Sequence, residues 1–206
     1  AAGREAAEAA LAGLDGASPS LCLVFATSGH NQSGLLASIR QVLPGVRLSG
    51  CSGEGVIVGS DSEESEHAVG VLAIASDTLD FQTFLIPNYS ADSTLAGEEL
   101  GRQVQAVRRG DELGLLLFPD GLTGNCGQLL RALDQSFSSG LPIIGGAAGD
   151  GLTFLKTYQY QNGEVTSDGV AAVLVRGRGR LEVAISHGCV PSRFRNINVI
   201  NTGRKA

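Results

Sequence analysis

The sequence lacks the features by which secreted, disulfide-rich and membrane-spanning proteins are recognised. Its four cysteines include no CxxC pair, whereas small secreted domains that depend on disulfides have a denser framework. No apolar run approaches the roughly 20 residues needed to span a bilayer, and the first residues lack the basic and apolar regions of a secretory signal. We therefore expect a cytoplasmic protein with reduced thiols and no direct membrane insertion. Methionine is absent as well, which nothing in the sequence explains.

Positive charge and the common catalytic motifs are also scarce. Fifteen Lys and Arg residues stand against 21 Asp and Glu residues, so the formal net charge is -6. Domains that bind nucleic acid usually carry a basic patch, so a nucleic-acid partner is not expected. The sequence contains no GxSxG, HExxH or Walker A pattern and no pair of ligands at the spacing of a zinc site. No metal is predicted.

The hydrophobic pattern indicates a mixture of helices and strands. With 206 residues, of which 43% are hydrophobic, the chain can form one large domain or two small halves that share a core. Residues 1–14 have the spacing of a helix with one buried face, and the apolar run 21–26 is typical of a strand covered on both faces. Asn162-Gly163 predicts a type I′ hairpin between strands at 154–161 and 164–166. Further helices are predicted at 33–43, 94–107 (with Ser93 as N-cap) and 125–137, and further strands at 46–49, 56–58, 68–75, 79–86, 113–118, 142–144, 170–175 and 181–186, with an acidic surface turn at 61–66.

A Gly-rich segment occurs twice. Residues 50–55 (GCSGEG) are matched by residues 146–151 (GAAGDG), so that both segments read Gly-small-small-Gly-acid-Gly. The similarity extends to the strand and helix before each segment and to the strand after it. It predicts two related halves, 21–86 and 113–188, whose Gly-rich segments face each other around one pseudo-symmetric site.

The predicted fold class follows from the number of strands in each half. There are too many strands per helix for a doubly wound fold. A sheet covered by helices on one side keeps one apolar face, and two such sheets can bury these faces against each other. The prediction is therefore an α+β fold with internally duplicated mixed β-sheets packed together and helices on the outer faces. A three-layer α/β arrangement with one continuous sheet is the alternative.

The Gly-rich segments supply the main candidates for ligand binding. Clustered glycines permit positive φ, and successive N–H groups in such a turn can form an anion-binding nest. A nest beside the carboxylates of Glu54 and Asp150 suits a zwitterion such as an amino acid. Tight structural turns need glycine too, so a purely structural role stays open. The candidate ligand-binding residues are Gly50, Cys51, Ser52, Gly53, Glu54, Asp120, Thr123, Gly146, Gly149 and Asp150.

Several of the candidate residues have alternative interpretations. Asp120 and Thr123 lie in a loop after a strand, where clefts form, but Thr123 or Asn125 could instead cap the next helix. Cys51 lies among backbone amides that could activate its thiol as a nucleophile, although a small buried residue is the simpler interpretation. His187 and His30 are candidate haem ligands, and a structural or hydrogen-bonding role is the alternative.

Several motifs, in order, resemble the N-terminal part of the FIST domain. They are 46–57 (VRLSGCSGEGVI), 118–125 (FPDGLTGN), 144–151 (IGGAAGDG), 157–160 (TYQY) and 162–165 (NGEV). Residues 186–191 (SHGCVP) resemble the junction toward the C-terminal part of that domain, so that 189–206 would begin a linker to it. The resemblance covers the chain from about Leu21 to its last residue, as a single FIST N-terminal domain.

The resemblance implies a function in signal transduction. FIST domains are sensory domains that were proposed to bind small ligands such as amino acids, and they occur beside histidine kinases and other output signalling domains. Some members resemble haem-dependent nitric-oxide sensors, so haem is the one cofactor to consider, although none is predicted. The family has no established catalytic set, and an enzyme is not expected. A protein-interaction adaptor without a small ligand is the other alternative.

Overall fold

The structure is a computed structural model that describes residues 1–137 and 140–184. The elements in these two stretches are, in chain order, α1 (Ala2–Ala12), β1 (Leu21–Thr27), α2 (Gln32–Val42), β2 (Arg47–Gly53), β3 (Val56–Val58), β4 (Asp61–Glu63), β5 (Val69–Ile74), β6 (Leu79–Pro87), α3 (Ser93–Ala106), β7 (Glu112–Pro119), α4 (Cys126–Ser136), β8 (Ile143–Gly145), β9 (Gln159–Gln161), β10 (Glu164–Thr166) and β11 (Gly169–Gly177). Within these stretches, no helix combines the length and the apolar character needed to cross a bilayer.

Two mixed sheets form the centre of the molecule. The first has the strand order β10-β9-β2-β1-β5 and the second has the order β6-β11-β7-β8, while β3 and β4 pair as a separate hairpin. Each large sheet contains one parallel pair, β1 with β2 and β7 with β8. The other pairs in both sheets are antiparallel.

The apolar side chains divide into three clusters that define four layers. In the first, α1 and α2 cover the outer face of the first sheet, where Leu36 and Ile39 pack against Cys22. In the second, α3 and α4 cover the outer face of the other sheet. The third lies between the inner faces of the two sheets and includes Leu23 and Val173. The predicted α+β fold with helices on the outer faces is therefore confirmed, and the alternative with one continuous sheet is wrong.

The two predicted halves exchange strands. β6 belongs to the first half by sequence but pairs with β11 in the second sheet. The hairpin β9–β10 belongs to the second half but pairs with β2 in the first sheet. Each sheet is thus completed by the other half, which ties the two halves into one packed unit. The division into related halves at 21–86 and 113–188 stays a prediction.

Most residues that were predicted to cap a helix or to form a turn do so in the structure. Asn125 caps α4 by accepting a hydrogen bond from the Gln128 N–H, and Asn162-Gly163 joins β9 to β10 with both residues at positive φ. Ser93 does not cap α3. Asp92 does so instead, because its extended backbone lets one carboxylate oxygen accept from two main-chain N–H groups of the first turn.

Four predictions of strands or turns differ from the structure. The strand expected at 46–49 continues through the first Gly-rich segment to Gly53, because residues 47–53 pair with β1. The strand expected at 154–161 begins only at Gln159, because the residues before it belong to a loop held by Asp150. Within the acidic segment 61–66, the first three residues form β4, since they pair with β3. Residues 181–184 are not a strand: β11 ends at Gly177, whose φ of 122° turns the chain out of the sheet. The rest of that expected strand lies outside the described residues.

Candidate functional site

At each Gly-rich segment, one glycine packs directly against the main chain of the neighbouring parallel strand. A Cβ atom on Gly50 would overlap the carbonyl oxygen of Val24, and a Cβ atom on Gly145 would overlap the carbonyl oxygen of Leu117 in the same way. Both glycines lie opposite these residues in their parallel registers. The structural counterpart of Gly50 is therefore Gly145, one position before the Gly146 that the sequence match indicates.

The two Gly-rich segments lie side by side and are hydrogen-bonded to each other. The buried Ser52 hydroxyl donates to the Gly149 carbonyl oxygen at 2.7 Å and accepts from the Tyr158 N–H at 2.9 Å. In return, the Gly149 N–H donates to the Ser52 carbonyl oxygen at 3.0 Å. A weaker link joins the exposed Glu54 to Asp150, whose N–H lies 3.3 Å from the Glu54 carboxylate. These bonds hold the segments together at a fixed distance.

A cavity of about 580 Å³ opens between the two sheets beside these segments. One wall is built from β1, β2, β3 and β5, and the other from β7, β8 and the residues just after β8. Phe25 and Phe118 meet edge to face, with ring centroids 5.5 Å apart and planes at 77°. The lining residues are mostly glycine or apolar: Phe25, Cys51, Ser52, Gly53, Gly55, Val56, Ile57, Val58, Gly59, Gly70, Val71, Leu72, Phe118, Gly145, Gly146 and Ala147.

The short hairpin β3–β4 forms part of the mouth of this cavity. Gly70 on β5 has no room for a Cβ atom, because Val56 and Val58 of the hairpin pack directly on it. Ile57, Val58 and Leu72 are exposed around the opening. A ligand in the cavity would therefore cover apolar side chains that water now contacts.

Comparisons with known proteins identify the family. Residues 20–196 match the FIST N domain. The chain belongs to this family. FIST domains are sensory domains of signal transduction and are not a family of enzymes.

The relatives of this FIST N domain are longer proteins. An uncharacterized protein of Mycobacterium tuberculosis (strain ATCC 25618 / H37Rv) is 23% identical over 189 residues, which cover 91% of this chain and 47% of the relative. An uncharacterized protein of Methanocaldococcus jannaschii is 25% identical over 163 residues, which cover 75% of this chain and 31% of the relative. The chain thus spans less than half the length of these curated relatives.

Four of the ten predicted site residues line the cavity of the FIST N domain: Cys51, Ser52, Gly53 and Gly146. The residues that sequence reasoning missed are chiefly Phe25, Phe118 and Gly145, together with the hairpin residues at the mouth. The Gly145-Gly146 doublet was the available signal for the second wall. The two phenylalanines carried no such signal, because each reads as an ordinary apolar position within a buried strand. The six predicted residues outside the cavity lining are Gly50, Glu54, Asp120, Thr123, Gly149 and Asp150.

Asp150 organises the loop that follows the second Gly-rich segment. Its carboxylate accepts hydrogen bonds from the Thr153 hydroxyl and from the N–H groups of Phe154, Leu155 and Lys156. Burial by itself raises the pKa of Asp150, but these hydrogen bonds outweigh it and lower the pKa to about 2. The side chain is 1% exposed, so its charge is satisfied within the loop 150–156.

Asp120 plays a similar part in the loop after β7. It accepts hydrogen bonds from the N–H groups of Leu122 and Thr123 on one oxygen and from the Asp168 N–H on the other. Burial raises its pKa, whereas hydrogen bonds from the Thr157 side chain and these N–H groups lower it, and the net shift is downward. The Thr123 hydroxyl donates to Asp168 at 2.8 Å. Both predicted residues thus join the β7–α4 loop to the turn before β11.

The environment of Cys51 does not activate its thiol as a nucleophile. Burial between the sheets raises the pKa of its thiol to about 12, so the thiol stays protonated near neutral pH and the reactive thiolate is rare. Its neighbours in this cluster are apolar side chains of both sheets. The geometry agrees with the simpler interpretation of a small buried residue.

The environment of His30 does not fit haem. His30 borders a separate cleft of about 350 Å³ whose lining is largely polar and includes Asn31, Lys156 and Tyr158. Its ring lies 5.3 Å from that of His67, centroid to centroid. Haem requires an extensive apolar pocket around its macrocycle, and this cleft is both smaller and more polar than the cavity between the sheets. His187 lies outside the described residues. Within the described residues, no three His, Cys, Asp or Glu side chains converge as a metal site.

Proposed function

We propose that this FIST N domain is a sensory module that binds a small ligand in the cavity between its two sheets. The observation that carries the proposal is the position of the cavity, whose walls come from both sheets and from both Gly-rich segments. A ligand there would contact elements of both halves at once. The cavity volume of about 580 Å³ is in the usual range for small-molecule sites, about 300–1,000 Å³.

Such a position also provides a means of transmitting the signal. A ligand changes a protein's conformational equilibrium only if it binds one state more tightly than the other. Closing the hairpin β3–β4 over a ligand would bury Ile57 and Val58, which gives the closed state additional apolar contact. The free energy gained in this way would favour the closed arrangement of hairpin and sheets. An attached output domain or histidine kinase would respond to that arrangement.

Filling the cavity tests the proposed site. Gly146 lines the cavity, its φ is not in the left-handed region, and a Cβ atom built on it meets no atom within 4 Å. Gly146→Phe is therefore expected to fold while occupying the ligand's space. A thermal-shift screen of the 206-residue chain against a small-molecule library should identify compounds that raise the melting temperature. Gly146→Phe should abolish these shifts.

The control for this screen is Gly13→Leu at the exposed end of α1, where the glycine has a helical φ of -70°. It adds a large apolar side chain far along the chain from the cavity and should leave every ligand-induced shift intact. A shift that persists unchanged in Gly146→Phe would locate the ligand elsewhere and contradict the proposed site.

A second candidate function, contact with a partner protein, is favoured by the loop 150–156. Leu152, Phe154 and Leu155 are 71%, 71% and 84% exposed, although the hydrogen bonds to Asp150 hold the loop in place. Leu152 and Phe154 also adopt positive φ, which is uncommon for non-glycine residues. Contiguous exposed apolar side chains often mark interaction sites.

Replacing this apolar surface tests the second candidate. Leu155→Ser should change the free energy of unfolding by no more than about 0.5 kcal/mol, since the side chain is exposed. It should weaken the association with the output domain or histidine kinase of the same signalling system in a pull-down. Leu130→Ser, on the exposed side of α4, is the matched control. Equal association of both variants with the partner would exclude the loop as the contact surface.

The setting of the domain is also part of the proposal. A cytoplasmic location and the lack of a nucleic-acid partner are expectations from the cysteine content and the net charge of -6. The output domain or kinase is expected from the family, whose curated relatives contain more polypeptide than this chain covers.

A further inference from the structure

We infer that the ligand of the inter-sheet cavity is an uncharged aromatic molecule and not a zwitterionic amino acid. The inference rests on the proposed function, because it concerns the same cavity. It departs from the amino-acid class that the matched acids of the Gly-rich segments indicate.

The first step is the charge of the cavity wall. None of the described residues that line the cavity has an ionisable carboxylate, ammonium, guanidinium or imidazole group. The acids nearest in sequence are directed elsewhere. Asp150 is held by its own loop, Asp120 by the β7–α4 loop, and the Glu54 carboxylate lies against Gly149 and the Asp150 N–H. A charged group placed in the cavity would therefore lose water without gaining a counter-ion, which is costly.

The second step is the shape of the apolar wall. Six of the lining residues are glycines, at positions 53, 55, 59, 70, 145 and 146, so flat stretches of main chain face the cavity. Phe25 and Phe118 contribute an edge-to-face pair, and aromatic rings prefer such offset or edge contacts with one another. The Cys51 sulfur adds a polarisable atom that makes favourable contacts with ring edges. A planar ring fits these surfaces better than a branched aliphatic chain.

The third step is the small number of polar groups. The Ser52 hydroxyl already donates to Gly149 and accepts from Tyr158. Among the lining side chains the Cys51 thiol remains, which is a weak donor, and in the exposed segment 145–147 the Gly146 N–H already donates to the Leu117 carbonyl oxygen. Such a wall can satisfy one ring N–H or hydroxyl group. It cannot satisfy a carboxylate and an ammonium group together.

Matched ring compounds test the inference directly. Indole and tryptophan share one ring system and differ by the charged amino-acid group. The chain contains no tryptophan, so binding of either compound can be followed by its own fluorescence without an indole background from the protein. Indole should bind, and tryptophan should bind on the order of a hundredfold more weakly, because its two charges would be buried unpaired. Gly146→Phe should abolish indole binding, and Gly13→Leu should not.

A second variant should change the relative affinity for a charged and an uncharged ring compound, which a general disturbance of the fold would not do. Ala147 is exposed and lines the cavity, so Ala147→Asp introduces a carboxylate without disturbing the buried core. It should raise the affinity for the cation tryptamine at least about tenfold relative to indole, since opposite charges attract within the partly enclosed site. An unchanged ratio of the two affinities would contradict the assignment of indole to this cavity.

The remaining outcomes separate the two proposals. If tryptophan binds as tightly as indole and Gly146→Phe abolishes both, the uncharged class is wrong while the proposed site stands. If indole binds to Gly146→Phe as it does to the unaltered chain, the site itself is wrong. If neither compound binds, the uncharged aromatic probe N-phenyl-1-naphthylamine decides: binding that Gly146→Phe abolishes supports the uncharged aromatic class with a ligand larger than indole, whereas its failure to bind overturns both proposals.

Discussion

The two Gly-rich segments share one packing feature and differ in what surrounds it. Gly50 and Gly145 both lie against the main chain of a parallel neighbour where no Cβ atom fits. Counted from these glycines, Glu54 is four residues further and Asp150 five, so the two acids do not occupy matching positions. Glu54 is exposed and reaches across to the other segment, whereas Asp150 is buried and holds its own loop. Two segments with the same glycine pattern can thus share a backbone contact while their polar residues serve different roles.

The largest loss of stability is expected at the two glycines that pack against a neighbouring strand. Gly50→Ala and Gly145→Ala should each lower the free energy of unfolding by about 3 kcal/mol or more, because the added Cβ atom would overlap a carbonyl oxygen of the neighbouring strand. Gly50 carries the additional strain of a φ of 143° and should be affected more. Denaturant titration would measure both.

Gly146→Ala is the control for these two variants and decides the register of the repeat. A Cβ atom at Gly146 meets nothing within 4 Å, so we expect a change of no more than about 0.5 kcal/mol. If Gly146→Ala destabilised the protein strongly and Gly145→Ala did not, Gly146 would be the counterpart of Gly50, as the sequence match indicates.

A smaller difference in stability is expected between substitutions of the two acids, Asp150 and Glu54. Asp150→Asn replaces an acceptor oxygen by an NH₂ group that faces main-chain N–H groups of Leu155 and Lys156, which should cost about 2–3 kcal/mol of stability. Glu54→Gln removes an exposed charge with one long hydrogen bond and should cost less than about 0.5 kcal/mol. Proteolysis within the loop 150–156 should accelerate only in Asp150→Asn. Equal effects of the two substitutions would show that the acids do share a role.

The smallest effect is expected from acid pH, which should reduce stability through the buried Asp150. The folded-state pKa of Asp150 is about 2, below its ordinary value of 3.8. The ionised carboxylate therefore contributes stability that is complete above about pH 4 and is lost as pH falls toward 2, about 2 kcal/mol in all. Chemical denaturation at several pH values should show this loss in the unaltered chain, and a shallower one in Asp150→Asn. Identical pH profiles of the two proteins would contradict the assignment.

Local patterns predicted much of the fold. The apolar run that became β1 is covered on both faces, Asn162-Gly163 forms the expected hairpin turn, and Asn125 caps α4. These signals depend on backbone preferences and on burial over short stretches, which a sequence records directly. Predictions were wrong where a distant contact decided the outcome, as with Ser93, whose hydroxyl accepts from the Asn125 N–H while Asp92 caps the helix.

The sequence by itself determined the fold class, the family and the two glycine-lined walls, because strand patterns, turn residues and close backbone packing depend on residue type. Only the tertiary structure decided which side chains the walls enclose. The exchange of β6 and the β9–β10 hairpin between the sheets, and the meeting of Phe25 with Phe118, join residues that are far apart in the chain. The direction of each carboxylate depended in turn on which N–H groups folding brought within reach, and this left an apolar cavity where the sequence pattern predicts a charged one.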